Sequence, residues 1–136
     1  SKKEGGEEER LEVGGESLTF SSKDHLLKYQ TSCWLKTQAV SLTSDRIDVF
    51  LAGEGNAIRA IEANDRVVIV SGFREGRGDK AIYDPDKETI DLTGNPSLTD
   101  KEKGVIEGDK LTFYLDDGRI HVENSDRDRS VTVIKS

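Results

Sequence analysis

The stretch GDKLTFYLDDGRIHVE, residues 108 to 123, sets the strongest constraint on the fold. Leu111, Phe113 and Leu115 alternate with Thr112 and Tyr114, Asp116, Asp117 and Gly118 break the pattern, and Ile120 and Val122 resume it around His121. Successive side chains of a strand point to opposite faces, so a period of two that survives a turn describes a β-hairpin with one apolar face. That face must be covered, either by a second sheet of the same chain or by a ligand.

The same period runs through the rest of the chain. It is written by Leu18 and Phe20; Leu27 and Tyr29; Ile47, Val49 and Leu51; Val67 and Ile69; Ala81 and Tyr83; Ile90 and Leu92; and Val131 and Val133. Between these runs stand the turn signals GEGN, EGRGD, DPDKE, TGNP and LDDG. The expectation is an all-β chain. Only NAIRAIEAND, residues 56 to 65, has a helix-like composition, and its Ile58 and Ile61 spacing is too short to support a helix. It reads as a strand with a bulge.

A weak internal repeat appears when GESLTF, SDRIDVF, GDKAIYD and GDKLTFY are superposed, at a period of about 30 residues. A second series, LKYQTSCWL, AIEANDRV and IDLTGNPSL, aligns Thr31 with Ala63 and Gly94, and Leu35 with Val67 and Leu98. Units of two or three strands cannot close a core alone. Successive units must therefore share an elongated apolar interior, with open edges at its ends.

Composition narrows the function. A chain of 136 residues is one domain in length. Charged residues make up 35% of it with both signs mixed, and the net charge of −7 opposes nucleic-acid binding, which draws on a basic face. A single Cys33, with only His25 and His121 for company, builds neither an intramolecular disulfide nor a metal site, and no cofactor is expected. No apolar run approaches the ~18 residues of a membrane helix. The chain contains no Met, as expected of a processed or excised chain, and a removed secretion signal is compatible with that. Residues 1–11 read as a flexible charged tail and 12–136 as a single β domain.

Catalytic signatures are missing. Neither histidine has a nucleophile or paired carboxylates in a recognised arrangement, and GEG at 53 to 55 lacks the Lys and helix of a phosphate loop. A polysaccharide-active enzyme needs two carboxylates facing one groove, whereas the carboxylates here cluster in turns. Asp84 with Asp86, Asp116 with Asp117, and Asp126 with Asp128 lack calcium-loop spacing and read as turn residues. GRGDK, residues 76 to 80, contains an adhesion-type triplet that a hairpin turn before Ala81 explains. Cys33 reads as a small buried hydrophobe. Arg59, Arg66, Arg74, Arg77, Lys80 and Lys110 are candidates to meet the phosphates of a ligand, against the plainer reading of a solvated charged face.

Residues 61 to 124 resemble the OstA-like family typified by lipopolysaccharide transport protein A (LptA). The resemblance is carried by IEANDRVVI, GDKAIYD, IDLTGNPSLTD and VIEGDKLTFYLDDGRIHVE in that order, and extends more weakly to GESLTF and SDRIDVF. It departs from the family at YQTSCWLKTQAVSLTS, where Thr31 and Ser32 replace a Gly-Asn pair. The resemblance implies an elongated, V-shaped, slit-like β-jellyroll of stacked antiparallel strands, located in the periplasm. It implies a groove for the acyl chains of lipopolysaccharide (lipid A), and end-to-end association with copies of itself and with other transport proteins of the same fold, bridging inner and outer membranes. The same domain type occurs in several subunits of that transport chain.

On this basis the expected groove comprises Leu18, Phe20, Ile47, Val49, Val67, Ile69, Tyr83, Ile90, Leu92, Leu111, Phe113, Ile120 and Val122. Periodicity alone favours a dry inter-sheet core, and a β-solenoid scaffold or adhesion module stands as the alternative. The resemblance favours the groove, a non-enzymatic role and passive movement of the lipid.

Overall fold

The computed structural model describes residues 10–53, 55, 57–124 and 131–133, the last three by their backbone. Most of the charged tail and the pair Asp126 and Asp128 lie outside the described residues. The described residues form twelve strands and no helix. They are β1 (Glu12–Gly14), β2 (Ser17–Ser21), β3 (Leu26–Lys36), β4 (Ser41–Leu51), β5 (Ile58–Ser71), β6 (Arg74–Asp84), β7 (Thr89–Thr93), β8 (Ser97–Asp100), β9 (Gly104–Glu107), β10 (Lys110–Tyr114), β11 (Ile120–Glu123) and β12 (Val131–Val133). All pairings are antiparallel.

The four long strands β3 to β6 run through two arms of one sheet. In the first arm β2 pairs with the start of β3, and the order continues through β4, β5, β6, β7 and β10 to β11. In the second, β1 pairs with the end of β3, and β6 hands over to β8, β9 and β12. Register breaks mark the seam between them: Thr31 and Ser32 in β3, and Asp65 and Arg66 in β5, are each two residues set against one on a neighbour. Such bulges bend a strand and sharpen its twist. The two arms face one another across the fold, because Phe113 of the first lies against Gly76 of the second. This is the V-shaped, open jellyroll arrangement that the family resemblance implies.

At the seam the backbone is left-handed in pairs: Thr31 (φ 70°) with Ser32 (51°), Asp65 (72°) with Arg66 (53°), and Gly94 (81°) with Asn95 (52°). The internal repeat is therefore real, but its alignment needs correction. Asp65, not Ala63, is equivalent to Thr31 and Gly94, and Leu35, Ile69 and Leu98 share one row across the sheet. What recurs is a backbone conformation rather than a residue type, so matching side chains misplaced the middle unit by two residues. Thr31 and Ser32 adopt the same left-handed pair as Gly94 and Asn95 of this chain. Two Asp-Arg dipeptides pin the seam reciprocally: Arg66 donates to Asp45 at 3.0 Å through both Nε and Nη2, and Arg46 donates to Asp65 at 3.0 Å. The Asp45 carboxylate shifts the Arg66 pKa further upward.

Of residues 56 to 65, Ile58 onward form β5 as strand followed by a bulge, as expected. The opening hairpin is β10 and β11, with Gly118 at φ 77° in its turn and the Tyr114 amide donating to the Arg119 carbonyl. GRGDK differs from expectation. It lies inside β6, and the turn falls earlier, around Gly72 (φ 64°). Its glycines are there because the opposite arm packs onto them, which leaves no room for a side chain.

Candidate functional site

The inner face of the first arm carries two unbroken apolar ladders. One crosses all eight strands as Leu18, Tyr29, Ile47, Ala63, Ala81, Leu92, Leu111 and Val122. The other does so as Phe20, Leu27, Val49, Ile61, Tyr83, Ile90, Phe113 and Ile120. The row between them faces outward and holds Thr19, Lys28, Asp48, Glu62, Ile82, Asp91, Thr112 and His121. Period-two patterning thus becomes, strand after strand, one wholly apolar surface. The second arm offers a sparser inner face of Val13, Leu35, Leu42, Ile69, Leu98 and Ile106, interrupted by Gly76.

Eleven of the thirteen expected groove residues lie on these ladders, and Val67 and Ile69 belong to the second arm. Ile47, Val49, Val67, Ile69, Ile90, Leu92, Leu111 and Phe113 are buried in one core cluster, and Tyr83, Ile120 and Val122 pack against it. Leu18 and Phe20, on the edge strand β2, are 52% and 58% exposed. Near that edge lies a cavity of about 610 Å³, lined by Leu11, Val13, Phe20, Ser22, His25, Leu27, Tyr29, Val49, Leu51, Gly55 and Ile58. Its lining is mainly apolar, with His25 and Ser22 among the polar contributors. A concave, mainly apolar space with few polar groups at its margin suits an aliphatic ligand.

Sequence reasoning reached Phe20 and Val49 of this lining but omitted several others. Leu27, Tyr29 and Leu51 belonged to recognised alternating runs, so continuing the ladders across β3 and β4 would have found them. Leu11 and Val13 sit beside the charged tail without a run of their own. Leu11, grouped with that tail by composition, packs against the core.

The remaining chemistry is structural. Arg74 pairs with Asp100 at 3.2 Å, Arg77 with Glu75, Lys80 with Glu62 at 3.7 Å, and Lys110 with Asp91 and Glu123. Arg59 lies 5.4 Å from the Phe50 ring. With Arg66 on Asp45, all six basic candidates are engaged by the protein itself, as a charged outer face would have them. Asp84 and Asp100 accept amide hydrogens of their own turns, and Asp117 accepts that of Arg119. No group of three or more metal-ligating side chains occurs among the described residues. Cys33 is buried, its thiol directed at the Asp45 carbonyl at 3.4 Å, and burial pushes its pKa up, away from thiolate chemistry.

Comparison with known proteins agrees with this architecture. Among solved structures, the chain is similar to LptH, the LptA homologous periplasmic component of the conserved lipopolysaccharide transport device from Pseudomonas aeruginosa, with a TM-score of 0.73. The likeness covers 93% of this chain and 96% of that one at 13% identity, and so establishes a shared fold. No curated protein matches significantly. The family model described as LptA/(LptD N-terminal domain) LPS transport protein matches residues 12–119, which takes in β1 through β10 and the turn that follows. The chain belongs to that family of lipopolysaccharide transport proteins.

Proposed function

We propose that this protein is a periplasmic carrier module that holds lipopolysaccharide by the acyl chains of lipid A between its two arms. The reading rests on one observation above all: two apolar ladders run without a polar interruption from edge to edge of the first arm and emerge at Leu18 and Phe20. Burying each methylene contributes about 0.8 kcal/mol, so a few acyl chains bind firmly without a charged pocket. The protein supplies a path, and the energy for directional movement comes from elsewhere in the transport chain.

The edges supply the partners. Among the described residues, β2 and β11 end the first arm with one neighbouring strand each, and strand addition there joins domains end to end. Because Leu18 and Phe20 lie in the same rows as Val122 and Ile120, a second copy, or another transport protein of this fold, added edge to edge continues both ladders. Repeated additions form a bridge between inner and outer membranes.

The test places a photo-crosslinking residue at Phe20, on the inner face of β2, and in a second protein at Thr19, on its outer face. Both are produced in cells that make lipopolysaccharide. Lipid adducts at 20 and none at 19 are expected. Silence at both positions in folded protein would replace the carrier with a scaffold.

A further inference from the structure

Apart from Tyr29, further along β3, the polar side chains that line the 610 Å³ cavity come from a single turn, and the protein leaves them unused. Beyond the row of Phe20, Leu27 and Val49, period two places one more row on the same face: Ser22, His25, Leu51 and Ile58. Ser22 and His25 stand opposite one another across the β2–β3 turn. The His25 amide donates to the Ser22 carbonyl at 3.4 Å, and the Leu51 amide donates to the His25 carbonyl at 2.9 Å. Both residues line the cavity and both are exposed, so they border ligand space and solvent together. Neither the imidazole nor the Ser22 hydroxyl has a hydrogen-bond partner among the described residues. Lys23, in the same turn, makes no ion pair among them, whereas the carboxylate of the turn, Asp24, accepts the Ser21 hydroxyl at 3.1 Å.

This corner differs from the rest of the charged surface, where the basic side chains singled out by sequence are engaged by the protein itself. We infer that His25, with Ser22 opposite it and Lys23 beside it, receives the anionic end of an aliphatic ligand, a carboxylate or a phosphate, whose chain runs inward over Leu27 and Val49 towards Tyr29. An imidazole N–H and a hydroxyl donate to the oxygens of the anion, and the ammonium adds opposite charge. The apolar lining takes the chain. The inference rests on the lipid reading above and adds to it an orientation and a specificity-determining residue.

Dodecyl phosphate, dodecanoate and dodecanol, each below its solubility and micelle limits, would be used to displace a neutral fluorescent apolar dye from the intact protein and from His25→Gly. Glycine suits the left-handed backbone of His25 (φ 52°), so the variant removes the side chain without straining the turn. In the wild type both anions are expected to bind about tenfold more tightly than the alcohol. His25→Gly should lose most of that preference and bind dodecanol as before. The second histidine is an internal control: dodecyl phosphate should move the imidazole NMR signals of His25 and leave those of His121, on the outer face of β11, in place. Equal affinity for anions and alcohol in the wild type, an unchanged preference in folded His25→Gly, or His25 signals that dodecyl phosphate moves no further than dodecanol does, would overturn the anchor and leave the carrier standing. Failure of all three amphiphiles to bind the wild type would overturn both.

Discussion

The two ends of the first arm are built from the same kinds of residue and behave differently. At the β2 end, Leu18 and Phe20 are more than half exposed; at the β10 end, Leu111 and Phe113 in the same two rows are sealed. What differs is the opposite arm, where Gly76 and Gly78 let Leu92 and Phe113 close onto the backbone. Apolarity supplies the lining of a groove. The separation of the facing elements decides whether that lining encloses ligand space or core.

Truncating one residue in each region tests the contrast most strongly. Leu111→Ala removes a fully buried side chain and should lower stability by about 2–5 kcal/mol in urea unfolding. Phe20→Ala should cost no more than about 0.5 kcal/mol, as exposed positions do. Equal losses would mean that the β2 end is also core. A smaller effect comes from filling the contact rather than emptying it: Gly76→Val forces Phe113 and Leu92 to shift and should cost about 1–3 kcal/mol. Were that variant as stable as the wild type, the arms would have room to spare there and the division between the halves would lose its basis.

The smallest expected effect lies outside the groove, at the outer end of the second arm. Asp100 is held below the usual carboxylate range, first by the Glu102 amide, then by that of Lys103 and by Arg74. Its ionised form is thus favoured by folding. The stabilisation is complete above the ordinary aspartate range and is lost as pH falls through it towards the lower native value. Asp100→Asn should flatten the acid limb of a stability-versus-pH curve measured by urea unfolding. An unchanged acid limb would remove Asp100 from the groups that govern it.

Much of this fold was legible because alternation survives without context. The β10–β11 hairpin, the strand over residues 58 to 71 and the rows that form the ladders all follow from period two and turn residues. The seam was harder to read. Thr31, Ser32, Asp65 and Arg66 adopt left-handed backbone without being glycine, so neither residue type nor hydropathy announces them. GRGDK misled in the opposite sense, since its glycines serve close packing rather than a turn. The inward-facing residues were legible, but which of them line open space and which are packed was not. That division depends on which arm residue faces which, a relation between segments distant in sequence.

The ladders carry a kinetic consequence of their own. Neighbouring strands lie about 4.8 Å apart, so an aliphatic chain lying across them and sliding by one strand exchanges one set of dispersion contacts for a similar set. No hydrogen bond or ion pair must break at any step along rows that contain only apolar side chains. On the proposed carrier role, tight holding and easy sliding therefore coexist over the open stretch from β2 to β4.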